Sequence, residues 1–217
     1  MPRGLVFDLD GVIVDSNPVH VEAWAGYLES HGRRLPPCAG RLIFGRRNDE
    51  IVRDFFGADL REEVIVAHGA AKEALYREMM RPQLRERLVP GVEAFLMRHS
   101  GVPMALASNA ERANVEFVLE GAGLRTFFTA VLDGGRVGRP KPFPDIYLEA
   151  ARLLGVHPAD CIVFEDSEAG IQAARAAGAR VVGLRTTHRD LGGVDLAIRD
   201  FLDPELELWL KVQGLVL

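Results

Sequence analysis

No stretch of this chain approaches the ~18 uninterrupted apolar residues that a membrane span needs. The short apolar run after Met1-Pro2-Arg3-Gly4 ends at Asp8, too soon for the apolar region of a signal peptide. Cysteine is scarce. Cys38 and Cys161 lie far apart and lack metal-ligand spacing, which predicts two free thiols in a reduced, cytoplasmic chain. Basic charge is not in excess: 26 Lys+Arg stand against 31 Asp+Glu, a formal net charge of −5. That balance argues against non-specific nucleic-acid binding, which needs a basic face. A Walker-type phosphate loop is missing, and Gly134, Gly135 and Gly138 lack the spacing of a dinucleotide fingerprint. Repeats and low-complexity segments are absent. The expected protein is therefore a monomer with no nucleic-acid or membrane partner.

Of the 217 residues, 48% are hydrophobic and 26% charged, enough to bury a core and offset the ordering entropy of the chain. Leu5-Val6-Phe7, bounded by Gly4 and the Asp8-Leu9-Asp10-Gly11 cluster, reads as a buried strand of a parallel sheet. The chain then changes character. Val19, Ala23, Trp24, Tyr27 and Leu28 recur at helical spacing up to His31-Gly32, and 50–56 and 61–80 read as further helices. From Pro90 onward, strands at 103–107, 130–132, 161–164 and 180–184 alternate with helices at 92–98, 110–120, 144–154 and 167–177. This is the pattern of βαβ units. The expected fold is α/β, a Rossmann-like parallel sheet core built from 1–15 and 86–217, with a helical cap of residues 16–85 inserted after the first strand.

Ligands of open parallel sheets bind beyond the carboxyl ends of the strands. Asp8 and Asp10 stand at such an end, two residues apart, and Gly11 allows the chain to turn away. As a turn they need no function. As paired carboxylates they could hold a hard cation, or one could attack an electrophile while the other moves a proton. Glu165 and Asp166 follow the strand at 161–164 and so reach the same rim. Asp166 or Ser167 could cap the next helix, but four carboxylates on one rim repel one another, and a bound divalent cation relieves that.

Ser108-Asn109-Ala110-Glu111 has the form of a capping box at the start of the helix at 110–120, and a helix start bearing a hydroxyl is a natural phosphate site. Lys141 is held among prolines in Arg139-Pro140-Lys141-Pro142-Phe143-Pro144. A phosphomonoester dianion is repelled by a carboxylate nucleophile, and Mg²⁺ with Lys141 would neutralise that repulsion.

These residues resemble the haloacid dehalogenase superfamily of phosphotransferases. Its four motifs occur in order: Phe7-Asp8-Leu9-Asp10-Gly11-Val12, Ala107-Ser108-Asn109, Lys141-Pro142 and Glu165-Asp166-Ser167. The resemblance implies that Asp8 is the nucleophile and that Asp10 is the general acid and base. It further implies Mg²⁺ bound by Asp8, the Asp10 carbonyl and Asp166, with Glu165 close by. Ser108, Asn109 and Lys141 would hold the phosphoryl group. Within the superfamily the chain is most similar to the β-phosphoglucomutase-like subgroup, through Val12-Ile13-Val14-Asp15-Ser16, His20 and Trp24, Lys72 four before Tyr76, and Ser167-Glu168-Ala169-Gly170-Ile171. The departure is at Gly45-Arg46-Arg47-Asn48-Asp49-Glu50, where Asn48 replaces the arginine that holds a second phosphate in those mutases. Arg46, Arg47 and His20 are thus candidate substrate contacts, with a solvated helix start as the alternative for the arginines and cap packing for His20. The expected function is a Mg²⁺-dependent phosphatase acting on a small phosphorylated metabolite, a sugar phosphate. A phosphosugar mutase and a non-catalytic interaction module are the alternatives.

Overall fold

A computed structural model describes residues 4–37 and 39–215; residues 1–3, Cys38 and residues 216–217 lie outside the described residues. Six parallel strands form one sheet in the order β3-β2-β1-β4-β5-β6. They are β1 (Gly4–Phe7), β2 (Met104–Ala107), β3 (Ala130–Leu132), β4 (Cys161–Glu165), β5 (Arg180–Leu184) and β6 (Leu196–Ile198). Alternation along the strands divides the core into two layers, because successive side chains point to opposite faces. Leu5, Phe7, Leu106, Ile162 and Phe164 face one layer, and Val6, Ala105, Ala107 and Val163 the other. Phe7 and Phe164 stack across neighbouring strands with ring centroids 4.7 Å apart.

Helices cover both faces. Helices α5 (Val92–Arg98), α6 (Arg112–Ala122) and α9 (Pro204–Val212) bury their apolar stripes on the Phe7 side. Helices α7 (Asp145–Leu154) and α8 (Glu168–Ala176) cover the Val6 side. The strand β6 and helix α9 carry weak sequence signals and were not anticipated.

Among the described residues between β1 and α5 the regular elements are helices: α1 (Asn17–Ser30), α2 (Ala39–Ile43), α3 (Asn48–Phe56) and α4 (Glu62–Met80), with a short 3-10 turn at 81–83. They bury their own cluster around Trp24, Leu28, Ile43, Ile51, Val52, Phe55 and Ile65. The entering and leaving segments touch through isolated bridges from Val14 to Asp10 and to Leu88.

One expectation fails locally. The helix expected from Ala110 starts at Arg112, and Ser108 and Glu111 make no capping box. The Ser108 hydroxyl instead accepts the Ala110 N–H at 3.0 Å, and the Ala110 carbonyl accepts the Gly134 N–H. Both bonds hold 108–111 as a loop. Glu111 is paired with Arg77 of α4 at 2.5 Å. The other candidate cap is realised: Ser167 accepts the Gly170 N–H at the start of α8.

Candidate active site

The strand order reverses direction between β1 and β4, which is where an open α/β sheet leaves a crevice at its carboxyl edge. Asp8 follows β1, Glu165 ends β4 and Asp166 follows it. The three are buried, and they offer carboxylate oxygens within 4.8 Å of one another. Gly11 has φ +77°, and a Cβ there would fall 1.9 Å from Asp166 Oδ2. Only glycine lets the turn after β1 close over Asp166. Gly170 plays the same part behind Glu165, whose Oε1 would lie 1.8 Å from an added Cβ.

Lys141 is the charge that makes this cluster tenable. Its ammonium donates to Asp8 Oδ1 and to Glu165 Oε1, each at 2.6 Å, and the residue is only 5% exposed. Burial alone would lower its pKa, but Asp8 and Glu165 more than offset that and hold it well above the usual lysine range. Asn109 orients the segment by accepting the Lys141 backbone N–H at 3.2 Å.

Burial pushes every one of these carboxylates up, and their partners decide the net direction. Asp8 is pushed up to about 7 by desolvation, which the neighbouring Lys141 opposes and Glu165 and Asp10 reinforce. Asp166 is also raised, first by burial and then by Glu165 and Asp8. Glu165 is likewise desolvated, yet Lys141 and its hydrogen bonds hold it below its usual range. It accepts from Lys141, from the Tyr147 hydroxyl at 2.6 Å, from the Asp166 and Ser167 N–H groups, and from Ser167 Oγ. With its acceptor positions so occupied, Glu165 acts chiefly by holding Lys141 and shaping the loop around Asp166. Buried oxygens at this spacing suit a hard divalent cation. The side chain of Asp10 lies outside the trio. It accepts from Ser16 Oγ at 2.6 Å and stands 3.5 Å from His20 Nε2. Desolvation raises its pKa, but the contacts with His20 and Ser16 outweigh this and lower it.

Over the cluster lies a cavity of about 470 Å³, floored by Asp8, Asp10, Ser108, Lys141 and Asp166. Asn109, His20, Arg46 and Arg47 also line it, so every candidate catalytic, phosphate-contacting or metal-binding side chain except Glu165 borders the same space. The two arginines differ. Arg46 is engaged by Glu50 at 3.0 Å, Asp54 at 2.6 Å and the Leu42 carbonyl. Arg47 crosses to the sheet side and donates to the carbonyls of Gly134 and Val137. Asn109 reaches back to the Gly45 carbonyl at 2.9 Å. These bonds tie the helical segment to the strand-end loops over the cavity.

Sequence reasoning missed several participants. Asn17 and Thr187 both donate to Asp166 Oδ2. Thr187 follows β5 and reaches the rim by the same strand-end rule that picked out Asp8, so that rule applied to every strand would have found it. Tyr147 lies on a helix face and has no local signal. Glu73, Asn48 and Asn114 form a hydrogen-bonded cluster on the cavity wall through contacts distant in sequence.

A family described as haloacid dehalogenase-like hydrolase matches residues 2–178. The fructose-1-phosphate phosphatase YqaB of Escherichia coli (strain K12) is 36% identical over 184 residues, covering 84% of this chain and 96% of that protein. The β-phosphoglucomutase of Bacillus subtilis (strain 168) is 31% identical over 215 residues, covering 95% and 93%. A crystal structure of β-phosphoglucomutase from Clostridium difficile superposes with a TM-score of 0.85 at 26% identity, covering 100% of each chain.

Proposed function

Because the chain belongs to the haloacid dehalogenase-like hydrolases, we propose that it is a Mg²⁺-dependent phosphatase that releases phosphate from a small sugar phosphate through an aspartyl-phosphate on Asp8. The observation that carries this reading is the buried Asp8 carboxylate, bound by Lys141 at 2.6 Å and facing a cavity that also holds Asp10. A carboxylate oxygen of Asp8 attacks phosphorus, and the ester P–O bond breaks as the new one forms. Asp10, whose ionised form Ser16 and His20 favour, first takes up a proton and then gives it to the leaving oxygen. It then takes a proton from water, which attacks the aspartyl-phosphate and frees inorganic phosphate and Asp8. Lys141, Ser108 and Asn109 hold the phosphoryl oxygens. Asp8, Asp166 and the Asp10 carbonyl would hold the cation, which supplies charge neutralisation on the phosphoryl group, with Glu165 supporting from behind.

Helices α1 to α4 act as a cap, residues 16–85, over a core of 1–15 and 86–217. Closure excludes water and brings His20 to Asp10. A buried thiol at Cys161, raised to about 11 by burial and then by Asp160, is unreactive and fits a reducing cytoplasm. The enzyme is read as a monomer.

The mutase alternative draws on the B. subtilis relative. The phosphatase reading is favoured by the 36% identical relative named for fructose 1-phosphate. It is favoured too by Asn48, which is hydrogen-bonded to Glu73 at 2.7 Å where a mutase carries its distal arginine. Phosphorus NMR with Mg²⁺ and a panel of sugar phosphates separates the two. Growth of inorganic phosphate from fructose 1-phosphate is expected. Isomerisation of β-glucose 1-phosphate to glucose 6-phosphate without phosphate release would establish the mutase instead.

The Arg47 bridge gives a second test. Truncation in Arg47→Ala removes two hydrogen bonds that hold the cap on the core. A loss of about 1.4 kcal/mol in closing the cap over bound substrate raises KM about tenfold. Steady-state kinetics should show that rise with a smaller fall in kcat. An unchanged KM would mean the bridge does not contribute to closure.

A further inference from the structure

Glu73 is a buried carboxylate that the chemistry at Asp8 does not use. It lines the cavity at 4% exposure. Oε1 accepts from Lys72 at 2.5 Å and from Asn48 at 2.7 Å, and Oε2 accepts from Asn114 at 2.7 Å. Burial raises its pKa, but Lys72, His20 and Asn114 more than offset this and hold it at about 2. The group is therefore ionised at neutral pH. Donors from α3, α4 and α6 converge on one carboxylate, which leaves about one of its four acceptor positions open. A buried ion pair such as Lys72–Glu73 adds little net stability over apolar packing. Folding alone does not explain so polar a cluster on a cavity wall.

Its position relative to the reacting end is fixed by His20. That ring stands 3.5 Å from Asp10 through Nε2, and its Nδ1 meets Lys72 Nζ at 3.2 Å and Glu73 Oε2 at 3.9 Å. Glu73 is thus one imidazole away from the acid that protonates the leaving group, which places it beside the alcohol part of a bound ester. The cations nearby are already committed. Lys72 is met by Glu73, and Arg46 by Glu50 and Asp54. Arg47 is anchored on the loop at Gly134, which abuts the Asn109 carbonyl on the phosphoryl side.

We propose that Glu73, held by Lys72, Asn48 and Asn114, selects the uncharged, hydroxyl-bearing end of a phosphomonoester and excludes a second phosphate. The inference rests on the reading of the site as a phosphatase. The carboxylate accepts a substrate hydroxyl, whereas a second phosphate dianion meets a carboxylate and finds the adjacent Lys72 already engaged by it.

The experiment compares fructose 1-phosphate with fructose 1,6-bisphosphate as substrates of the full-length enzyme with Mg²⁺. The wild type should favour the monophosphate by at least about tenfold in kcat/KM, since a second phosphate finds no free cation at this wall. Glu73→Gln keeps the shape and removes the charge. It frees Lys72 and should abolish that preference, chiefly through a lower KM for the bisphosphate. An unchanged ratio in a folded Glu73→Gln protein overturns the proposal. Should that variant not fold, wild-type competition decides. The bisphosphate must inhibit hydrolysis of p-nitrophenyl phosphate at least about tenfold more weakly than the monophosphate does. Parity overturns the role of Glu73 while leaving the phosphatase reading intact. Release of phosphate from no ester at all removes that reading, and the inference with it.

Discussion

Asp8→Asn should abolish phosphate release, by at least about 10⁴-fold in kcat, as removal of a covalent nucleophile does. The carboxamide keeps the shape of the side chain but cannot form the aspartyl-phosphate. The fold should survive the change. Asp8 has a folded pKa raised to about 7. A group shifted upward contributes stability below its unfolded pKa and loses that contribution as pH rises toward the folded value. At pH 7.5 the ionised carboxylate is therefore no net stabiliser in the metal-free protein, and replacing it with a neutral amide should leave Tm unchanged or higher despite the lost contact with Lys141. Phosphate release with Mg²⁺ and thermal unfolding without it check the two halves. Full turnover by Asp8→Asn would assign the nucleophile elsewhere. A collapsed Tm would show that Asp8 is principally the partner of Lys141.

Lys141→Ala should be the most damaging single change to stability, and it should impair turnover as well. It leaves Asp8 and Glu165 facing each other in a buried site without a counter-charge. Removing one partner of a buried ion pair costs about 3–5 kcal/mol, because the orphaned charge remains. The loss of a preorganised donor to the phosphoryl oxygens should lower kcat/KM by roughly 10²–10³-fold more. Urea unfolding without metal measures the first effect, and kinetics at saturating Mg²⁺ the second. The two carboxylates also make a cross-check. Adding Glu165→Gln to Lys141→Ala removes one of the orphaned charges, so the double variant should be more stable than Lys141→Ala alone. A loss below about 1 kcal/mol for Lys141→Ala, the scale of an exposed pair, would mean that solvent reaches the cluster and screens it.

The strands and most helices were legible because their signals are local. Val92–Arg98, Ala130–Leu132 and Arg180–Leu184 have the bounds expected from apolar runs between glycine, proline and polar breaks. The strand-end carboxylates Asp8 and Asp166 were legible for a related reason: in a parallel sheet, residues that follow strands share one edge whatever their distance in sequence. Position along the chain then already implies position in space.

That logic weakens wherever two local preferences compete. Ser108 through Glu111 has the letters of a capping box, yet Ser108 spends its hydroxyl on Ala110 and Glu111 is drawn to Arg77 across the structure. Composition around Arg46 and Arg47 marked a basic loop but could not divide the pair. Which arginine is neutralised and which bridges to Gly134 depends on where α3 places Glu50 and Asp54.

The sequence by itself determined the parallel sheet, the helical insertion, and the set of Asp8, Asp10, Ser108, Lys141, Glu165 and Asp166, since periodicity, strand ends and helix starts are properties of neighbouring residues. Only the tertiary structure decided what each group does there. It made Glu165 the holder of Lys141, turned Arg47 into a bridge, and set an ionised Glu73 beside His20. Those roles come from burial, which strengthens every charge interaction by removing water, and from partners on other elements, whose distances no reading of adjacent residues contains.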